Sequence, residues 1–218
     1  MTAVFTPVDL KTWPRTPYFN YYFYELKSKY NLNVTLDITE LLQQSKAKNY
    51  RFYPTFIYVI LRAINQNSAF RMSFHQGELG HWNFIMPSFT IFHPDDCSFS
   101  DLWSEYHRDF KTYYDVITRD IETYKNVKGI KIRANQPPNF CPISCLPWVS
   151  FTGISQDSAV DDHFLFPIVR FGKYFEQGDR ILLPLSLYAH HAVADGYHSS
   201  KLINDIQDFC TQVDQWMT

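Results

Sequence analysis

The sequence predicts a mixed α/β (α+β) protein, in which one large β-sheet is flanked by helices. Three observations predict this class. Short apolar stretches with strand periodicity alternate with longer stretches of helical periodicity, and tight turns join neighbouring strands. The chain of 218 residues has no internal repeat and no Gly/Ser-rich linker, and hydrophobic residues make up 45% of it. We therefore expect a single domain over residues 1–218.

The first half of the chain predicts three strand regions and one helix. Alternation of Val34, Leu36 and Ile38 predicts a half-buried strand, and Pro54 opens a helical stretch that extends to about residue 67. A turn near Gln76-Gly77 predicts a hairpin, and "PSFTIFH" (87–93) predicts a further strand.

The second half predicts two helices and three strands. From Asp101 onward, apolar residues from Leu102 to Ile121 recur at helical spacing and predict one long amphipathic helix. A strand interrupted by proline is expected over 142–151. Residues 166–191 predict two strands joined by a turn at 177–179, and a helix follows to about Val213.

Charge and cysteine usage exclude several classes of function. The formal net charge is -2 and no basic cluster dominates, so nucleic-acid binding is not expected. No apolar stretch approaches the ~18 residues that a membrane span needs, and the N-terminus has no apolar leader. We therefore expect a cytoplasmic protein with reduced cysteines. Cys141 and Cys145 lack a second nearby ligand pair, so no metal site is expected.

The last predicted strand ends in a group of ionisable residues: His190, His191 and Asp195, followed by Gly196. Histidine is the natural general base near neutral pH, and the aspartate is placed to orient an imidazole or hold the backbone. A purely structural histidine is the alternative. The sequence has no Gly-x-Ser-x-Gly motif, and no His-x-x-x-His pair is found here, which argues against a serine hydrolase and a metalloenzyme.

These residues lie in "LPLSLYAHHAVADGYH" (183–198), which resembles the active-site segment of the trimeric chloramphenicol acetyltransferases. Further stretches agree in order and spacing, among them "DLKTWPRTPYFNYY", "ISCLPWVSF" and "PIVRFGKYFEQGDRILLPLSL". Condensation domains of peptide synthetases share the histidine motif but are about twice as long. Lipoyl-linked acyltransferases carry a related motif without "LPWVSF". Because the matching stretches begin at Asp9 and continue to His198, the resemblance to the chloramphenicol acetyltransferases extends over almost the whole chain.

The resemblance implies transfer of acetyl from acetyl-CoA to a hydroxyl of chloramphenicol, in a ternary complex without an acyl-enzyme, and hence antibiotic resistance. It implies His191 as the general base and His190 as structural. It implies a buried ion pair between Asp195 and Arg15 that fixes the loop. It also implies Ser144 as the oxyanion donor, with a strand serine bonded to backbone as the alternative.

The resemblance also assigns contacts to the two substrates. Coenzyme contacts fall on Arg51, Trp148, Lys173 and Tyr174, for which solvated or core side chains are the alternatives. Acceptor contacts fall on Tyr22, Ser28, Phe99, Ile154 and Gln156, where an aromatic residue could instead belong to the core.

The match departs from the family at Arg170, where threonine is usual. If this side chain points inward, it needs a carboxylate partner such as Asp161 or Asp162, or access to solvent. Three functions therefore remain open: acetylation of chloramphenicol, acetylation of another hydroxylated small molecule, and drug binding without turnover. The resemblance further implies a homotrimer with each active site between two subunits, and no metal.

Overall fold

The computed structural model of the protein describes residues 1–156 and 163–217. Along the chain, the elements are β1 (Phe5–Pro7), α1 (Thr16–Asn20), β2 (Lys29–Asp37), α2 (Thr39–Ala47), α3 (Phe52–Gln66), β3 (Met72–His75), β4 (Glu78–Trp82), β5 (Met86–His93), β6 (Ser98–Trp103), α4 (Phe110–Tyr124), β7 (Phe140–Leu146), β8 (Ile168–Gly172), β9 (Phe175–Gln177), β10 (Arg180–His190) and α5 (Gly196–Thr211). A π-helical turn, Tyr21–Glu25, extends α1.

Two sheets organise these strands. A seven-stranded mixed sheet has the order β2-β10-β8-β7-β5-β6, with β9 paired to β10, and a small sheet has the order β1-β4-β3. Strands β5, β7 and β8 are parallel, whereas β10 is antiparallel to both β2 and β8. Ligands often bind beyond the carboxyl ends of parallel strands, so the ends of β7 and β8 are where a site is expected.

Helix α3 forms the centre of the core. Residues Phe56 to Leu61 are each 0% exposed, because α3 packs against β5 of the sheet and against α4 and α5. On β10, Leu183, Leu185 and Leu187 contribute to the same core. Strand alternation sends Ser186 to the opposite face of the sheet. The polar residues of the central strands therefore face away from the helices.

Most of the predicted elements are confirmed. The hairpin turn lies at Gln76 and Gly77, which both adopt positive φ, as a tight two-residue hairpin turn requires. The helix predicted from Asp101 is wrong in its first half. Residues 98–103 form strand β6 beside β5, and α4 begins only at Phe110, where Asp109 caps it by accepting from the Thr112 amide.

The strand predicted over 142–151 is confirmed only in part, since β7 ends at Leu146, before Pro147. The pairing of β7 with β8 ends at Leu146, opposite Gly172, and the chain leaves the sheet at Pro147. Residues 149–151 return over β8 at Gly172. A Cβ at this glycine would lie 2.7 Å from the carbonyl oxygen of Val149, so the close approach needs a residue without a side chain.

Candidate active site

His191 lies just beyond the end of β10, where the chain leaves the sheet. Its ring stacks on Tyr22 with 3.7 Å between the ring centroids and 12° between the planes, and Tyr30 meets it edge-on at 5.3 Å. Its backbone amide donates to the Ser28 carbonyl at 3.0 Å. The structure therefore brings His191 together with two predicted acceptor contacts, Tyr22 and Ser28. Tyr22 is half-buried, so it is not a plain core residue.

The two ring nitrogens of His191 differ in their surroundings. Nδ1 is buried and has no hydrogen-bond partner in the described part of the chain, while Nε2 is not enclosed in this way. Nε2 is therefore the nitrogen that a substrate can reach. The neutral tautomer that accepts a proton at Nε2 carries its own proton on Nδ1.

His190 has a different environment from its neighbour. It is 0% exposed, its Nδ1 accepts from the Ala192 amide at 3.2 Å, and its carbonyl accepts from the amides of Val193 and Ala194. These bonds close the turn that follows β10. His190 thus holds the backbone on which His191 is presented.

Asp195 and Arg15 meet, as the resemblance implied. Nη1 of Arg15 lies 2.9 Å from Oδ2 of Asp195, with side-chain exposures of 18% and 36%, so the pair is half-buried rather than buried. Asp195 also caps α5 by accepting from the amides of Tyr197 and His198, and its Oδ1 lies 2.7 Å from Nδ1 of His198. Burial opposes ionisation, but the bonds from Arg15 and His198 outweigh it and hold the pKa of Asp195 well below its usual value.

The role of Asp195 as a helix cap was missed in the sequence, although its signal was present. An aspartate directly before a helical stretch is a preferred N-cap residue, and in the structure the side chain of His198, three positions later, completes a capping box. The carboxylate is occupied by Arg15, His198 and the first amides of α5. It therefore acts on the loop that carries His191 rather than on the imidazole.

Ser144 lies apart from His191, in the wall of a cavity of about 990 Å³. The cavity opens at the carboxyl ends of β7 and β8, and six further residues of the predicted site line it with Ser144: Phe99, Trp148, Ile154, Arg170, Lys173 and Tyr174. In the described part of the chain the Ser144 hydroxyl makes no bond to backbone. Its hydroxyl is thus available to a ligand.

Aromatic side chains at the cavity are exposed rather than packed in the core. Trp148 is 63% exposed and contacts the Phe92 ring edge-on at 4.7 Å, and Phe99 is 54% exposed. The core alternative for Trp148 and Phe99 is therefore wrong. Cys145, the neighbour of Ser144, also lines the cavity. Burial raises the pKa of its thiol to about 12, which makes it a poor nucleophile at neutral pH.

Arg170 points into this cavity and is only 8% exposed. It pairs with Ser144 across β7 and β8 and with Ser186 across β10, so the three lie in one row on one face of the sheet. Its Nη2 donates to Oε1 of Gln156. Burial lowers the pKa of Arg170, partly offset by Tyr188, and a guanidinium still remains charged at neutral pH. The partners expected for it, Asp161 and Asp162, lie outside the described residues.

Two residues of this row, Arg170 and Ser186, also hold residues 154–156 in place over the sheet. Ser186 donates its hydroxyl to the Ile154 carbonyl at 3.2 Å, and the Ile154 amide donates to Oδ1 of Asn33 at 3.1 Å. Together with the bond from Arg170 to Gln156, these contacts place Ile154 at the cavity wall.

Arg51 is placed beside the cavity rather than in its wall. Its neighbour Phe52 lines the cavity, but the Arg51 guanidinium lies 3.1 Å from a carboxylate oxygen of Glu122, and both side chains are about half exposed. To bind a phosphate group of the coenzyme, Arg51 would therefore have to exchange its solvated ion pair with Glu122 for one with the phosphate.

The predicted site thus forms two groups within one chain. His191, Tyr22, Ser28, Arg15 and Asp195 lie beyond the end of β10. Ser144 and its neighbours line the cavity, and His191 is absent from the described residues of that lining. Among residues 1–156 and 163–217, no group of three or more His, Cys, Asp or Glu is placed to hold a metal, and no helix is long and apolar enough to cross a membrane.

Comparisons with known proteins agree with the resemblance. A family model described as chloramphenicol acetyltransferase matches residues 3–207. The chain is 39% identical to a chloramphenicol acetyltransferase of Clostridium butyricum, over 98% of each chain, and 38% identical to one of Escherichia coli, over 97% of this chain and 95% of that protein. A solved chloramphenicol acetyltransferase superposes with a TM-score of 0.82 at 21% identity, covering 95% of this chain and all of the other. The chain therefore belongs to the chloramphenicol acetyltransferase family and is an acyltransferase.

Proposed function

We propose that the protein transfers the acetyl group of acetyl-CoA to a hydroxyl of chloramphenicol, and so confers resistance to this antibiotic in the cytoplasm. The observation that carries the proposal is the identity of 38–39% to the C. butyricum and E. coli enzymes over nearly the whole chain. The reaction needs a base, an oxyanion donor and a thioester site, and it needs no metal ion.

His191 is the general base of the proposed reaction. Its Nε2 takes the proton of the acceptor hydroxyl as that oxygen attacks the thioester carbonyl. Stacking on Tyr22 holds the ring in one plane, so that the nitrogen is aimed before the substrate arrives. The coenzyme thiolate then leaves and takes a proton, which returns the histidine to its neutral form.

Ser144 stabilises the negative charge that develops on the thioester oxygen. Its hydroxyl is available in the cavity wall, next to the apolar surface that a thioester and pantetheine arm would contact. Lys173 and Tyr174 lie at the same cavity, where they are placed for the coenzyme, with Arg51 at its margin. Phe99 and Ile154 bound the space left for the acceptor, with Gln156 beside them.

A homotrimer would unite the two groups of residues. Because His191 and the Ser144 cavity lie apart in one chain, we propose that His191 of one subunit faces Ser144 of the next, around a threefold axis. Exposed aromatic residues next to each group support this arrangement. Tyr21 and Tyr24 lie in the same π-helical turn as Tyr22 and are 46% and 61% exposed, and the exposed Trp148 lines the cavity.

A thiol-release assay with acetyl-CoA and chloramphenicol tests the proposal. We expect one coenzyme thiol to be released for each acetylated drug molecule. Drug binding without turnover would instead identify a binding protein with this fold. Neither binding nor turnover would indicate another acceptor, an alternative that Arg170 in the cavity keeps open.

A further inference from the structure

Arg170 is a buried cation without a full set of partners. More than nine-tenths of the residue is buried, and its one hydrogen bond within the described residues is to the neutral side chain of Gln156. Its Nη1 is buried and has no hydrogen-bond partner among residues 1–156 and 163–217. Burying an incompletely paired charge is costly, so such a group is expected to meet an anion in its working state.

The described residues that line the cavity around Arg170 supply no counter-charge. Its lining in the described part of the chain includes two cations, Arg170 and Lys173, and no carboxylate. Lys173 follows the end of β8, whereas Arg170 lies within the strand. The apolar and aromatic walls strengthen the field of the buried charge, because a low dielectric screens it poorly.

The position of Arg170 fixes where an anion would lie relative to the reaction. Arg170 is paired in register with Ser144 on the neighbouring parallel strand, and paired strands are about 4.8 Å apart. An anion bound to Arg170 therefore lies close to the reacting centre. Rings of Phe52, Phe99 and Trp148 line the same cavity and suit an aromatic body.

We propose that Arg170 selects acceptors that carry a carboxylate close to the reactive hydroxyl, such as α- or β-hydroxy acids with an aromatic body. This inference rests on the proposed function, because it takes the cavity to be the acyl-transfer site. Chloramphenicol is uncharged, so it supplies no anion to Arg170. The enzyme acetylates it more slowly than an acceptor that supplies one.

Matched probes test this selection. 3-Phenyllactate and its methyl ester differ by one charge, and both are measured as acetyl acceptors and, by calorimetry without acetyl-CoA, as ligands. The wild-type protein should favour the acid. Arg170→Thr should reduce the preference for acid over ester by about 10- to 100-fold, the range for a hydrogen bond to a charged group. It should also raise catalytic efficiency with chloramphenicol. Arg170→Lys should keep part of the preference.

The outcomes separate the inference from the proposed function. Thermal melting shows that each variant is folded. Equal binding of acid and ester by the wild-type protein would overturn the selection, even if chloramphenicol is acetylated. If Arg170→Thr lowered the acetylation rate equally for all acceptors, the proposed selection would also be wrong, because Arg170 would then act on the thioester that all these reactions share. Absence of acetylation with an intact acid preference in binding would reject the proposed reaction alone.

Discussion

At the scale of single residues, His191 is held by aromatic rings rather than by a carboxylate. Tyr22 and Tyr30 contact its ring, while the carboxylate of Asp195 is occupied by Arg15 and His198. The imidazole is thus positioned by stacking and by the backbone bond to Ser28. The nearby aspartate bonds to Arg15, to His198 and to the first amides of α5 rather than to this imidazole.

We predict that His191→Ala lowers the turnover rate by about 10²- to 10⁴-fold, because the acceptor hydroxyl then has no base. Binding of coenzyme A, measured by calorimetry, should stay nearly unchanged. His190→Ala is the matched comparison. It removes the acceptor for the Ala192 amide and should lower the melting temperature. If His191→Ala keeps most of its activity, the base has been misassigned.

Ser144→Ala should lower kcat by about 10²- to 10³-fold, with smaller changes in the KM of either substrate. The reason is that the hydroxyl bonds most strongly to the charge present only in the transition state. Steady-state kinetics measure both quantities. Ser200→Ala, the same change at an exposed position of α5, serves as the control. A rise in KM at unchanged kcat would refute the role of Ser144.

At the scale of elements, Asp195 joins the catalytic loop to α5 and, through Arg15, to the N-terminal segment. Asp195→Ala removes a helix cap, worth about 0.5–2 kcal/mol, in addition to the ion pair. Asp195→Asn keeps a good capping residue and removes the charge. We therefore expect Asp195→Ala to be the more destabilising change in urea unfolding.

A double-mutant cycle of Asp195→Asn with Arg15→Val isolates the ion pair. Because the pair is half-buried, we expect a coupling of about 1 kcal/mol in the free energy of unfolding. A fully buried ion pair would give a larger coupling free energy. Strictly additive effects would mean that the two side chains do not meet in solution.

The same carboxylate makes stability depend on pH. Its pKa is depressed in the folded protein, so folding favours the ionised form. This stabilisation is complete above the unfolded pKa of about 4 and is lost as the pH falls through the lower folded value. The stability difference between the wild type and Asp195→Asn should therefore shrink below about pH 4. A constant difference down to pH 2.5 would contradict the shift.

The helices show where sequence periodicity succeeds and fails. Leu102 and Tyr106 fit the spacing of the later α4 residues by coincidence. Leu102 lies on β6 and points into the core, and Tyr106 lies in the loop after β6, where its ring packs against Tyr58. The cap at Asp109 was the better signal for the start of α4. Strand pairing is non-local, so a local pattern could not distinguish β6 from the first turns of a helix.

The contacts of the candidate site were less predictable than the pairing of Arg15 with Asp195, which the resemblance implied and the structure shows. The roles of His191 and Ser144, which also came from the resemblance, remain predictions. The sequence did not reveal that Arg170 bonds to Gln156, because that contact depends on how a loop returns over the sheet. Nor did it reveal that Arg51 is occupied by Glu122 on α4.

At the scale of the whole molecule, we propose that the base and the oxyanion donor of one active site come from neighbouring chains. The two groups lie apart in a single chain, and both carry exposed aromatic surface. Sedimentation should therefore show a trimer. A trimer alone does not show that residues are shared, so a more direct measurement is needed.

Co-expression of His191→Ala with Ser144→Ala provides that measurement. Each variant alone should be nearly inactive. In randomly mixed trimers, a site is intact when the His191 donor and the Ser144 donor both carry the wild-type residue, which gives about a quarter of the sites in a threefold heterologous arrangement. Thiol release with acetyl-CoA and chloramphenicol should therefore recover to about that fraction of wild-type activity. Mixed trimers that remain as inactive as the separate variants would contradict the sharing of sites between chains.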